Sequence, residues 1–219
     1  MLYFNQLPLT TTTDYAGNSV SVTNILERVE IIPKLLKNPL LFYAYDIQDG
    51  DTPDIIANKY YSDPYRYWTV MFANQMFDYE GDWPMDQNLF NVYLVDKYTN
   101  DTANSLNVPA NTVTPAMVSA YTQSTIQQYI KTVTTVDSST NNSNTVYYVI
   151  DQDSYNTTVQ GTQTLPFNTG AFVTITTFAY PQSIFDYEVE TNEAKRSINL
   201  INSSYIGAVE SQLSSLLSK

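Results

Sequence analysis

YDIQDGDTPDIIANKYY, residues 45–61, contains a strand end, a tight turn and a helix start in immediate succession. Leu41–Gln48 is aromatic and apolar with no breaker, the composition of a strand. Asp49-Gly50-Asp51 turns the chain, Thr52 stands at a helix N-cap position and Pro53 at the first helical position. The helix is expected to run to about Tyr60, with Ile55, Ile56 and Tyr60 facing inward. Ser62-Asp63-Pro64 repeats the start signal, and a second helix to about Gln75 carries Trp68, Met71 and Phe72 at i, i+3, i+4 spacing. Turn formers fill Asp78–Asn88, and Leu89–Val95 reads as a second strand. The expected unit is strand, helix, helix, strand.

Upstream, residues 1–22 read as an extended arm with turn formers at Asp14, Gly17 and Asn18. A short helix is expected at 24–32: Asn24 and Glu27 have capping-box spacing, Ile25, Leu26 and Val29 form an apolar face, and Pro33 stops it. Residues 34–41 fit helix or strand equally. Downstream, 98–180 is dominated by Thr, Ser and Asn, with Asp101, Lys131, Asp137, Asp151 and Asp153 as its charges. Thr114 and Pro115 open a helix there. Tyr129–Val136 and Thr145–Ile150 flank a polar turn as a hairpin, and Ala171–Tyr180 is a further strand.

At the C-terminus, Glu188–Ile201 reads as a helix with Ala194, Ile198 and Ile201 on one face, its acidic start matched to the helix dipole. A last helix, Tyr205–Leu217, carries a stripe of Ile206, Val209, Leu213, Leu216 and Leu217. That stripe fits either its own domain or another chain. Docking elsewhere would leave a chain ending at Asn202 with its strand–helix–helix–strand core folded. The fold class is therefore α+β. The expected organisation is an N-terminal arm and short helix (1–40), the β-α-α-β domain (41–97), a β-rich insert (98–186) and a C-terminal helical pair (187–219).

Composition excludes several chemistries. The 219 residues contain no Cys and no His, which removes disulfides, Cys- or His-dependent nucleophilic catalysis and the usual zinc ligand sets. A net charge of −12, from 10 basic and 22 acidic residues, argues against nucleic acid, whose phosphates need clustered Lys and Arg. No apolar run approaches the ~18 residues of a membrane span. The N-terminal MLYFNQLPLTTTTDY lacks the basic-then-apolar order of a signal peptide. Tyr, at 19 residues, is the real surplus, and Tyr60, Tyr61, Tyr65, Tyr67 and Trp68 crowd one helical hairpin. Such side chains fill a small core, and those left outside mark protein interfaces or sugar platforms.

The remaining motifs are weak. Tyr93 and Lys97 have the Y-x-x-x-K spacing of some dehydrogenases, but the six glycines stand apart at 17, 50, 81, 161, 170 and 207, so no G-x-G-x-x-G nucleotide loop exists. A calcium loop beginning at Asp78 would need Gly and Glu where Trp83 and Leu89 stand. No particular carboxylate pair is singled out for glycoside hydrolysis. No catalytic residue, cofactor or metal is assigned.

Gly50-Asp51-Thr52, followed by Ile56, Ala57, Lys59 and Tyr60, with Asn74 after the second helix, resembles a LysM module. The wider chain is similar to the small baseplate wedge proteins of contractile-tailed bacteriophages, which embed a LysM-like domain. Glu27-Arg28-Val29, the turn from Asp49 to Pro53, Tyr67-Trp68, and Tyr187-Glu188 with Asn192-Glu193-Ala194-Lys195-Arg196, Ile198, Leu200-Ile201 and Tyr205 carry that similarity. The resemblance implies a non-enzymatic structural subunit that clamps neighbouring wedges into a six-fold ring. It implies other baseplate wedge proteins and the sheath initiator as partners, and a place in the virion tail baseplate after assembly in the host cytoplasm. Interface candidates are Tyr67, Trp68, Glu193, Lys195, Arg196, Tyr205, Ile206, Val209, Leu213 and Leu216. The alternative is a LysM-type module binding peptidoglycan or chitin through Asp49, Gly50, Asp51 and Thr52.

Overall fold

The computed structural model describes residues 3–26, 29, 40–166 and 170–217. In chain order the elements are β1 (Leu9–Thr13), β2 (Ser19–Thr23), β3 (Phe42–Asp46), α1 (Pro53–Tyr61), α2 (Tyr67–Ala73) and α3 (Tyr79–Asp82). There follow α4 (Gln87–Leu106), α5 (Pro115–Ser124), β4 (Ile126–Asp137), β5 (Ser143–Ile150), α6 (Gln152–Thr157), β6 (Gly161–Pro166) and β7 (Phe172–Ser183). The chain ends through α7 (Ile184–Glu193), β8 (Ser197–Ile201) and α8 (Ile206–Leu217). This is an α+β protein with a C-terminal helical pair, α7 and α8. It divides into unit 1, Met1–Asp86 with Asn192–Lys219, and unit 2, Gln87–Thr191. Among the described residues no helix is long and apolar enough to cross a membrane.

In unit 1, β3 pairs antiparallel with β8, from Phe42 opposite Ile201 to Asp46 opposite Ser197. Gly50, at φ +85°, supplies the left-handed turn after β3. Pro53 starts α1, and Asp63 accepts the Tyr65 N–H to open the next helical turn. Helix α1 buries Ile56, Ala57 and Tyr61, and α2 buries Trp68, Val70 and Ala73. Except for Trp68, these make the main core with Ile198, Leu200 and Ile201 of β8. Ile55, expected inward, is exposed; the buried i, i+1, i+5 face of α1 runs through Ile56, Ala57 and Tyr61 instead.

Two element assignments are corrected. Leu89–Val95 is not a strand but part of α4, which buries Phe90, Leu94, Tyr98 and Thr102 at helical spacing while Leu89 and Val92 stay exposed. The β-branched and aromatic residues of that run suit a strand, but the four-residue repeat of burial continues well past it and only a helix satisfies it. The closing strand of unit 1 is β8. The helix expected to reach Ile201 stops at Glu193, and Ile198 and Leu200 alternate with exposed Ser197 and Asn199. The same residues satisfy a helical stripe or a strand on paper, and the vacant edge of β3 decides for the strand.

Where an arm is expected, β1 and β2 form a hairpin from Leu9 to Thr23 with a turn held by Asp14, whose carboxylate accepts the Ala16 and Asn18 N–H groups. Most of the helix expected at 24–32, and the ambiguous 34–39, lie outside the described residues; Asn24 accepts the Leu26 N–H in a turn.

Unit 2 is an antiparallel sheet in the order β5-β4-β7-β6 with helices at its base. Thr114 caps α5 by accepting the Met117 N–H. Phe90, Leu94, Val118, Ile130, Ala179 and Ile184 are buried near that base. Further out, β5 and β6 are exposed along nearly their whole length.

Candidate functional site

The turn that resembles a LysM module is a closed network. Asp51 is 7% exposed. Its Oδ2 accepts the Tyr45 hydroxyl at 2.7 Å and the Gln48 N–H at 3.1 Å, and its Oδ1 accepts Lys59 Nζ at 2.5 Å. Burial pushes this carboxyl up, but the lysine, the tyrosine and the backbone donor outweigh it and hold Asp51 below its ordinary value. Burial, followed by the hydrogen bond to Asp51, pushes the Tyr45 hydroxyl up to about 12. The Asp51 carbonyl accepts Trp83 Nε1 at 3.1 Å, and the Thr52 hydroxyl donates to Asp54. Asp51 and Thr52 therefore serve the turn itself, and Asp49 is the member whose side chain stays largely in solvent.

Arg196 joins this turn to the C-terminal segment. Its guanidinium reaches Asp49 Oδ1 at 2.8 Å, Glu193 Oε2 at 2.7 Å and the Ile47 carbonyl at 3.2 Å. Lys195 Nζ donates to the Gly81 carbonyl at 2.6 Å. Glu193, Lys195 and Arg196, expected at an interface, thus make bonds inside unit 1. Trp68 is buried with Leu7, Leu213 and Leu217, with Tyr67 and Val209 packed alongside. Ile206 belongs to the main core of the unit. The stripe on α8 accordingly packs on its own unit, which removes the basis for expecting a folded core in a chain that ends at Asn202. Of the interface candidates, Glu193, Tyr205 and Leu216 remain exposed.

Two asparagines act as pieces of backbone. Asn74 Oδ1 accepts the Asn199 N–H at 2.7 Å, and its Nδ2 donates to the Asn199 carbonyl at 2.9 Å. The carboxamide thereby occupies the outer edge of β8 as a neighbouring strand would. Asn192, 8% exposed, does the same to Met85: its Oδ1 accepts the Met85 N–H at 2.8 Å and its Nδ2 donates to the Met85 carbonyl at 3.0 Å. A shallow pocket of about 240 Å³ lies beside Asn74, Met76, Asp82 and Lys195. Asp82 is engaged by the Phe77 and Asp78 N–H groups, and among the described residues no three carboxylates are grouped to hold a metal.

In unit 2, the Y-x-x-x-K residues do meet. Lys97 Nζ lies 2.6 Å from the Tyr93 hydroxyl because both sit on α4 one turn apart. Both point to Glu188, 4% exposed, which accepts Tyr93 at 3.0 Å, Lys97 at 2.7 Å and Tyr98 at 2.5 Å. Burial pushes Glu188 up, and these three donors more than reverse it, so its carboxyl lies below the ordinary range. Burial lowers Lys97, and Glu188 and Tyr93 together raise it well above the usual lysine value. Burial and then the Glu188 bond raise Tyr98 to about 12. A lysine neutralised by a buried carboxylate is a fastener for α7, not a device for activating a phenol.

The sequence reading missed Tyr45, Trp83, Asn192 and Glu188 as site members. The partners of Trp83, Glu188 and Asn192 lie 32, up to 95 and 107 residues away, beyond the reach of any spacing rule, whereas Tyr45 stands six residues from Asp51. Compared with known proteins, the chain matches no family model and no curated protein.

Proposed function

We propose that the protein is a structural, non-enzymatic subunit of a contractile phage tail baseplate, a wedge component that clamps its neighbours in a six-fold assembly. One observation carries most weight. The two stretches bearing the resemblance, the turn at 49–53 and the Asn192–Arg196 segment, are bound to each other through Arg196 and through the pairing of β3 with β8. A resemblance split between the two ends of a chain gains support when those ends build one unit. The partners in this reading are other wedge proteins and the sheath initiator, and its place is the tail baseplate after assembly in the host cytoplasm. The sugar-binding alternative has less support, because Asp51 and Thr52 are engaged internally.

The test is quantitative mass spectrometry of tails purified from phage-producing cells. The chain should appear at a fixed ratio to the wedge proteins, in a multiple of six copies per baseplate. Tails that lack it, with the chain instead pelleting on peptidoglycan or chitin, would overturn the proposal.

A further inference from the structure

We propose that residues 87–191 fold as a self-contained module, and that unit 1 closes around their two ends afterwards, with the Asn192 carboxamide as its clasp. The inference is independent of the function proposed above.

Unit 2 is one continuous piece of chain, whereas unit 1 is assembled from two pieces. Its defining bonds span long separations. Tyr61 donates to the Ile201 carbonyl across 140 residues, Asn74 pairs with Asn199 across 125, and Arg66 pairs with Glu210 across 144. None of these can form before the C-terminal segment returns, and a disordered excursion would make each closure entropically costly. Prior folding of unit 2 removes that disorder. The clasp then forms where the excursion begins and ends: Met85 lies two positions before it, and Asn192 follows it directly. Its two hydrogen bonds, at 2.8 and 3.0 Å, match the donor and acceptor of one backbone residue. Alanine would leave both groups of the part-buried Met85 backbone without these partners. Glu188, one turn earlier on the same helix, is fixed within unit 2 by Lys97, Tyr93 and Tyr98, so the helix bearing Asn192 is ordered once unit 2 has folded.

The chain carries its own probe. Both of its tryptophans, Trp68 and Trp83, are buried in unit 1. Urea unfolding of the full chain should be followed by tryptophan fluorescence for unit 1 and by hydrogen exchange of β4 and β7 amides for unit 2. The fluorescence transition is expected at lower urea than the loss of β4 and β7 protection. On refolding, those amides should become protected before the fluorescence recovers. Asn192→Ala should lower the fluorescence midpoint by about 1 M urea and leave β4 and β7 exchange unchanged. Coincident transitions that shift together in Asn192→Ala would overturn the proposal. Should unit 1 of that variant fail to fold, exchange still decides: protected β4 and β7 support the module, and unprotected strands overturn it.

Discussion

The sheet of unit 1 that pairs β3 with β8 joins residues more than 150 apart, whereas the sheet of unit 2 pairs residues no more than 57 apart. In unit 1 the two-stranded sheet pairs residue 42 with residue 201, and helix α8 returns to cover Trp68. In unit 2, β4 and β5 pair in register across a short turn, and β6 pairs with β7. The cores differ accordingly. Unit 1 packs Ile, Leu, Val, Tyr and Trp from both chain ends into one cluster. Unit 2 concentrates burial at the helical base and extends a sheet rich in threonine, where Thr134 bonds Thr145 and Thr162 bonds Thr176 across strands. Among the described residues each unit also buries one anionic carboxylate, and each saturates it with lysine and tyrosine. The comparison teaches that the same fastening chemistry serves two architectures, and that only the long-range one depends on the C-terminus.

Removing residues 203–219 is the strongest way to break that comparison. Ile206, Leu213 and Leu217 are buried, and each lost large side chain costs about 2–5 kcal/mol, together comparable to the ~5–15 kcal/mol that holds a domain folded. Tryptophan emission should shift to the red without denaturant, while β4 and β7 stay protected from exchange. Emission unchanged from the full chain would show that α8 is dispensable to unit 1.

Glu188→Gln addresses unit 2 in the same terms. The glutamine keeps the shape but loses the charge that Lys97 and two tyrosines address, at a cost of about 2 kcal/mol, since Lys97 keeps access to water. Amides of α4 should exchange faster, with tryptophan fluorescence unaffected. The double variant with Lys97→Met should recover part of the loss, and a cycle of the four proteins measures the coupling.

Varying pH sharpens the comparison further, because both units carry the same two signs. Asp51 and Glu188 lie below their ordinary values when folded. Their stabilisation is complete above the unfolded carboxylate pKa of about 4 and declines as pH falls through the lower folded values. Tyr45 and Tyr61 in unit 1 and Tyr98 in unit 2 are each raised from 10.0 to about 12. Their contribution is complete below pH 10 and declines as pH rises toward about 12. Fluorescence and exchange measured against pH should show losses at both extremes in both units, and a flat response near pH 11 would remove the tyrosines from the account.

The smallest expected effect is a gain. Thr102 Oγ1 is buried in unit 2 without a hydrogen-bond partner. Thr102→Val keeps the shape and removes that polar atom, and should stabilise unit 2 by about 1 kcal/mol in denaturant titrations read by exchange of α4. Unit 1 should not respond.

Much of the architecture was legible because its signals are local. Pro53 and Pro115 mark helix starts, Gly50 marks a turn, and the alternating runs at 129–136 and 145–150 mark a hairpin. The Y-x-x-x-K spacing was visible too, but its meaning was not, because Glu188 lies 91 residues beyond Lys97. Asn74 was noticed by resemblance. Its role at the edge of β8 appears only once Asn199 is beside it.

The sequence by itself determined the α+β class, the strand and turn at 42–51, the helices that follow, the β-rich character of the middle region and the apolar stripe of the last helix. These follow from backbone preferences and periodic burial, which act over a few residues. Tertiary structure alone decided that 89–95 is helical, that 197–201 closes the first sheet, that the α8 stripe covers Trp68, and that Asp51 and Glu188 are saturated inside the protein. The partners of Glu188 lie 90 to 95 residues away and those of β8 more than 150, while Asp51 is saturated by residues within eight positions whose side chains meet only once the turn and the helix after it are folded.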